Sequence, residues 1–237
     1  MLHVRDIDKS FRGVQALKGV SITVPEASIL GIIGMNGSGK TTLLNCINGL
    51  YTIDAGEITF DDRPLSGLTP DKVAAAGVGR TFQVPKVFPR LTLLDNLEIP
   101  QIPARVPAAD ARRRSNEWLE RVNLLELSHN YAEELSGGQQ KLLELARIMV
   151  VRPKLILLDE PFAGVNPQLA LLMIRIIKAI PAEHHCSVVL VSHDLTSVYQ
   201  LSDHIVVLNE GQVLCEGNAE TIRTNPEVIE AYLGAES

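Results

Sequence analysis

Three stretches of this sequence combine residue types and spacings suited to phosphate and water chemistry. Residues Gly34–Thr42 read GMNGSGKTT, matching G-x-x-x-x-G-K-[ST], between a strand pattern Ile29–Ile33 and a helical pattern Thr41–Asn48 that Gly49 terminates. The glycines let successive backbone N–H groups converge on phosphate oxygens, and the helix start adds its positive end. In such a loop Lys40 reaches the β and γ phosphates and Thr41 a magnesium ion. The plainer reading is a glycine turn that caps a helix. Residues 155–160, LILLDE, end an apolar run in two carboxylates. That is the pattern of a buried strand emerging at the carboxyl edge of a sheet beside the phosphates. Alone this motif is weak; beside the phosphate loop it makes Asp159 the natural metal partner. Glu160, pointing elsewhere, is then placed to polarise an attacking water.

The third stretch, Leu135–Met149, reads LSGGQQKLLELARIM, a serine and two glycines running straight into a strong helix. Ser136 offers a hydroxyl, and Gly137 and Gly138 leave N–H groups uncovered at a positive helix end. It is a second phosphate grip in a chain that already has one, or simply a helix cap.

The elements that must position these stretches follow from hydrophobic patterning. Short β-rich apolar runs occur at 21–24, 28–33, 155–158, 187–191 and 205–208. Several are too continuously apolar for one-sided strands, so they call for helices on both faces of a mainly parallel sheet. From about Thr92 to Val151 the periodicity is helical, with Trp118, Leu119 and Val122 on one face and a second stripe through Leu142, Leu145, Ala146 and Met149. This reads as a helical subdomain inserted in an α/β core. The segment Val84–Pro107 carries five prolines and reads either as a mobile, partner-facing connection or as an ordinary surface loop. Asn166-Pro167 and Asn225-Pro226 spell two helix starts, with Asn as cap and Pro at the first helical position.

Composition narrows the function classes. The chain has 237 residues, 46% of them apolar, which is ample for a buried core. With 28 acidic against 22 basic residues, a formal charge of −6, and no basic block beyond Arg112, Arg113 and Arg114, nucleic acid is disfavoured as the main partner. Cys46, Cys186 and Cys215 lie far apart without metal-ligand spacing and read as buried thiols of a reducing compartment. The first ten residues lack an apolar signal core, and no run approaches the roughly 20 apolar residues that span a bilayer. Service to a membrane would therefore run from one side, through a partner.

With Gly34–Thr42, LSGGQ at Leu135–Gln139 and LILLDEP at Leu155–Pro161 in this order, the chain resembles the ATP-binding cassette (ABC) ATPases over nearly its whole length. The resemblance implies one ABC ATPase domain of α/β class: a P-loop NTPase-like core of mainly parallel sheet (1–91 and 152–237), an N-terminal antiparallel β portion and an inserted helical subdomain (92–151). It implies ATP and Mg2+ as cofactors. Gly34, Asn36, Gly37, Ser38, Gly39, Lys40, Thr41 and Thr42 would hold the nucleotide, and Thr41, Gln83 and Asp159 the metal. Lys40, Gln83, Glu160 and His193 would be catalytic. In that family LSGGQ binds the γ phosphate held by a second cassette, which places Ser136, Gly137, Gly138 and Gln139 across a shared site and makes Ser136→Arg a test of it. Gln83, in GRTFQ, fits the loop glutamine between core and helical subdomain, and His193, in LVSHD, the switch histidine on the γ phosphate. Phe11 lies where the family stacks an aromatic on adenine, or is a core phenylalanine. Asn166 departs from the family's usual aspartate, leaving the N-cap role.

GVGRTFQ, VFPRLTLLDNL, DEPFAGVNP and NPEVIEAYLG are similar to the ATPases of branched-chain amino-acid importers and of relatives importing urea or other amides; DEPFAGV is also shared with lipopolysaccharide-exporter ATPases. The implied partners are a second cassette of the same or a paralogous chain, integral-membrane permease subunits and, indirectly, a substrate-binding protein. The implied location is the cytoplasmic face of the cell membrane. A groove beside Gln83, formed with Phe88–Leu97 and lined by Val87, Phe88 and Leu91, is the expected seat for a short permease helix. The tail 218–237 would serve dimer contacts or close the core. Soluble cassettes of DNA repair or translation fit poorly, since this chain has neither a long coiled-coil insertion nor a second cassette. A non-hydrolysing scaffold is opposed by the intact Glu160 and His193.

Overall fold

The computed structural model describes residues 1–233. Six strands form the central sheet: β3 (Ile29–Ile33), β6 (Val78–Arg80), β7 (Leu155–Asp159), β8 (Ser187–Val191), β9 (His204–Asn209) and β10 (Gln212–Gly217), in the order β10-β9-β3-β8-β7-β6. All neighbours are parallel except β10, which returns antiparallel along β9. The continuous apolar runs have the predicted cause, because every residue of β3, β7 and β8 is buried. Ile156, Leu158, Val188 and Leu190 face one core cluster, while Leu155, Leu157, Val189 and Val191 face another on the opposite side.

The second cluster is closed by helix α1 (Lys40–Ile47), short helix α2 (Pro70–Ala75) and an antiparallel sheet. That sheet comprises β1 (Leu2–Phe11), β2 (Val14–Val24), β4 (Ala55–Phe60) and β5 (Arg63–Pro64), ordered β2-β1-β4-β5. Helices α3 (Leu93–Glu98), α4 (Ala108–Arg121), α5 (Gly137–Met149), α6 (Pro167–His184) and α7 (Leu195–Leu201) cover the first. Both expected apolar stripes, through Trp118 and through Leu142, are buried there. Short helices α8 (Ala219–Thr224) and α9 (Pro226–Leu233) end the described chain, so only part of the tail 218–237 falls within the described residues.

The helix starts at Asn166 and Asn225 are built as expected: Asn166 Oδ1 accepts from Leu169 N at 3.0 Å and Asn225 Oδ1 from Glu227 N at 2.8 Å, each followed by Pro. Two expectations need correction. The centre of the proline-rich segment folds into α3, capped by Thr92 and burying Leu93, Leu94 and Leu97. Buried Asn96 pins the preceding turn, accepting from Phe88 N at 2.8 Å and donating to Phe88 O at 3.0 Å. The prolines bracket α3 without entering it, so the centre of the segment belongs to the helical region that begins at Thr92 and is not a plain loop. Among the thiols, Cys46 and Cys186 are buried, which pushes them up to about 11 and about 12, but Cys215 is only half-buried.

Candidate active site

Strands β3, β7 and β8 run parallel, so the segments after them, starting at Gly34, Glu160 and Ser192, leave the same edge of the sheet. The phosphate loop occupies this edge after β3. Gly39 caps α1 at φ +104°, where an added Cβ would lie 2.8 Å from the Ala16 carbonyl oxygen, so only glycine fits. Lys40 is buried and folded back into the loop, its Nζ donating to Gly34 O at 2.7 Å and Met35 O at 2.8 Å. Burial lowers its pKa, and nearby Glu160 and Asp159 oppose that shift. The loop lysine and both carboxylates thus share one electrostatic site. Asn36, Gly37 and Thr41 are exposed, Ser38 is buried, and Gly39 and Thr42 are half-buried.

The two carboxylates take different partners. Asp159 is buried and its Oδ2 lies 3.2 Å from Nη2 of Arg80, whose guanidinium has two further nitrogens without a hydrogen-bond partner among the described residues. Burial raises the Asp159 carboxyl, and Arg80 counters the shift. Glu160 turns the chain in the left-handed region at φ +49°, an uncommon conformation for a non-glycine residue. Its Oε2 lies 2.7 Å from His193 Nδ1 and accepts from His193 N at 3.2 Å and Ser192 Oγ at 3.3 Å. Glu160 and His193, 33 residues apart in sequence, therefore form one unit.

The LSGGQ start of α5 is a complete capping box. Ser136 Oγ accepts from Gln139 N at 3.4 Å, and Gln139 Oε1 accepts from Ser136 N at 3.0 Å and Ser136 Oγ at 2.8 Å. Ser136 and Gly137 are exposed. Gly138 packs so closely on the loop after β7 and the start of α6 that an added Cβ would meet Leu169 Cδ1 at 3.0 Å and Val165 Cγ1 at 3.3 Å. No hydrogen bond joins this start to the chain's own phosphate loop among the described residues.

Other predicted residues spread around this core. Gln83 is exposed, with no side-chain hydrogen bond among the described residues; its loop is held from below by Glu144, which accepts from Phe82 N at 3.3 Å and Lys86 N at 2.7 Å. Phe11 is 38% exposed, against the core reading, and stands edge-to-face with Tyr51 at 5.0 Å. Sequence reasoning missed Tyr51, Arg80, Lys141 and Glu144. Arg80 lay in the quoted GRTFQ, and Lys141 and Glu144 in the quoted LSGGQQKLLELARIM, but nothing in those strings marks a charged residue as buried.

Residues 17–163 match the ABC transporter family, and residues 212–237 match the family described as branched-chain amino acid ATP-binding cassette transporter. The chain belongs to the ABC transporter family. This cassette is 40% identical to the high-affinity branched-chain amino acid transport ATP-binding protein BraF of Pseudomonas aeruginosa, over 99% of this chain and 98% of BraF. The ADP conformation of MJ1267, an ATP-binding cassette of an ABC transporter, superposes with TM-score 0.88 at 33% identity, covering 99% of this chain and 98% of that one. A dimeric post-hydrolysis state of the cassette MJ0796, bound to ADP and Pi, superposes with TM-score 0.85 at 28% identity, over 92% of this chain and 99% of that one. The cassette is accordingly an ATP-hydrolysing transporter subunit with a P-loop NTPase fold. Among the described residues no helix is long and apolar enough to cross a membrane.

Proposed function

We propose that this cassette powers import of branched-chain amino acids through separate membrane subunits, as a peripheral protein on the cytoplasmic face. The observation that carries the substrate class is the match of residues 212–237 to the branched-chain family, beyond the general cassette match at 17–163. In the catalytic reading, N–H groups of Gly34–Thr42 and the Lys40 ammonium hold the triphosphate. Lys40 exchanges its loop carbonyls for phosphate oxygens, an anion replacing two neutral acceptors. Glu160 accepts a proton from, or orients, the attacking water, and His193 steadies it and meets the γ phosphate. Gln83 reaches into the site from its loop, and Phe11, with Tyr51 behind it, stacks on the adenine.

The residues fit magnesium: a buried carboxylate, Asp159, and a hydroxyl, Thr41, are hard oxygen donors, and Asp159 is held by Arg80 through one contact at 3.2 Å. Thr41, Asp159 and Gln83 would hold the ion. When bound it neutralises charge on the β and γ phosphates.

Ser136–Gln139 would leave their capping box to meet the γ phosphate held by a second cassette, same or paralogous. Permease docking is supported by exposed Val84 (69%) and Phe88 (40%) beside Gln83; a cysteine at Phe88 should crosslink to the permease. The test of the whole reading is ATP-driven uptake by proteoliposomes carrying the cassette with its membrane subunits and binding protein. Leucine, isoleucine or valine should accumulate. Uptake of urea or amides without these would overturn the substrate class.

A further inference from the structure

Helix α5 carries charged side chains at Lys141, Glu144 and Arg147, one turn apart, the first two buried and the third half-buried. A strong helix former could fill these places with leucine, as it does at Leu142, Leu143 and Leu145; charges here incur a desolvation cost. Lys141, only 8% exposed, donates from Nζ to the backbone carbonyls of Glu160 and Ala163, both at 2.8 Å. Glu144, 3% exposed, accepts from the backbone of Phe82 and Lys86, the residues flanking Gln83, and Arg147 donates to Lys86 O. Lys141 and Glu144 line one cavity of about 10 Å³ with Thr81, Phe82 and Pro161, so both reach their loops across a single close-packed seam.

None of these contacts is to the phosphate loop. They go to the two loops whose side chains, Glu160 and Gln83, handle the attacking water and the metal in the reading above. The same helix begins with Ser136.

We propose that Lys141 and Glu144 are positioning residues that lock the Glu160 and Gln83 loops to the helix whose start meets the second cassette's phosphate. A rotation or shift of α5 on engaging that phosphate is then transmitted, through rigid backbone contacts, to this chain's own hydrolytic groups. The inference rests on the reading of Ser136 as a partner-facing residue. Backbone anchoring suits such transmission better than side-chain contact, because it moves a loop as a unit and leaves Glu160 and Gln83 free to meet water and metal. Burial pushes the Glu144 carboxyl up to about 7, and the two backbone N–H groups, Arg147 and Lys141 counter the shift.

The test uses the cassette assembled with its membrane subunits. Lys141→Met keeps the apolar stem and removes both donated bonds. Its kcat should fall about 10- to 100-fold, the cost of small misplacements of reacting groups. KM for ATP and nucleotide affinity of the dilute cassette should stay within about twofold, and Lys141→Arg should recover most of kcat. Glu144→Gln, which can accept only one of the two N–H groups, should speed hydrogen exchange at Phe82 and Lys86 without loosening the amides of α5. Unchanged kcat in both Lys141→Met and Glu144→Gln overturns the proposal, as does a kcat loss that Lys141→Arg fails to restore while melting temperature falls alike in both Lys141 variants. If Lys141→Met does not fold, Glu144→Gln decides by the same readouts. Ser136→Arg run alongside separates the two readings. If it turns over cooperatively, the partner-facing role of Ser136 fails, whereas the kcat loss in Lys141→Met stands on its own.

Discussion

Two helix starts in this cassette share glycines and a following amphipathic helix, yet they are finished in opposite ways. The start of α1 has no side-chain cap; its Gly39 is wedged against Ala16 and its lysine is buried in the loop's own carbonyls. The start of α5 has a full capping box on an exposed surface and, among the described residues, no hydrogen bond to the loop that precedes α1. The first is a loop preformed within one chain and held by its own packing. The second is satisfied while alone and can trade weak, neutral hydrogen bonds for a charged ligand, which is what a site completed by another molecule needs.

The largest effect concerns what the two starts serve together. Glu160→Gln should slow hydrolysis by about 10²- to 10⁴-fold while retaining ATP and accumulating closed pairs, read by phosphate release and by gel filtration with ATP. Unchanged steady-state turnover would remove Glu160 from the chemistry. Next, Lys40→Ala and Ser136→Arg should part company in one assay. In a dilute lone cassette Lys40→Ala should weaken ATP binding by roughly 10- to 100-fold, the worth of a charged hydrogen bond, whereas Ser136→Arg should stay within about twofold of the parent. Both should abolish cooperative turnover. An equal loss of affinity in Ser136→Arg would mean that the α5 start serves its own chain, and the contrast would collapse.

A smaller effect is on stability against pH. Glu144, raised from 4.5 to about 7 by burial, keeps its proton in the folded chain where the unfolded chain has lost it. Its contribution is therefore complete below about pH 4.5 and is lost as pH rises through 7, by up to roughly 3 kcal/mol. Glu144→Gln should flatten that slope in denaturant titrations between these limits while still slowing turnover; an unaltered slope would show that Glu144 is not the group responsible. The smallest effects test the caps themselves. Gly39→Ala should cost roughly 1–3 kcal/mol through its backbone conformation, and Ser136→Ala only about 1 kcal/mol through the lost cap. Melting temperatures in the reverse order would contradict the preformed character of the α1 start.

How far these features could be read from residues alone varied with their range. The phosphate loop, the carboxylates after β7 and both Asn-Pro helix starts depend on neighbours within a few positions, so local spacing carried them. Strands β1 and β4 escaped, because one face of the antiparallel sheet is solvated and its alternation is broken by β-bulges. Helix α3 was covered by two conflicting signals, the helical periodicity from about Thr92 and the flanking prolines that suggested a loop, and the burial of Leu93, Leu94 and Leu97 decided for the helix.

Sequence by itself determined which side chains can grip phosphate, accept a proton or start a helix, since these are properties of residue type and short spacing. Only the tertiary structure decided that Glu160 is held by His193 and Asp159 by Arg80. It alone brought Lys141 and Glu144 to the backbones of the Glu160 and Gln83 loops. Those pairings span 33, 79, 19 and 58 residues. They exist because parallel strands deliver distant segments to one edge of the sheet and because α5 crosses beneath it, and no local pattern encodes that meeting.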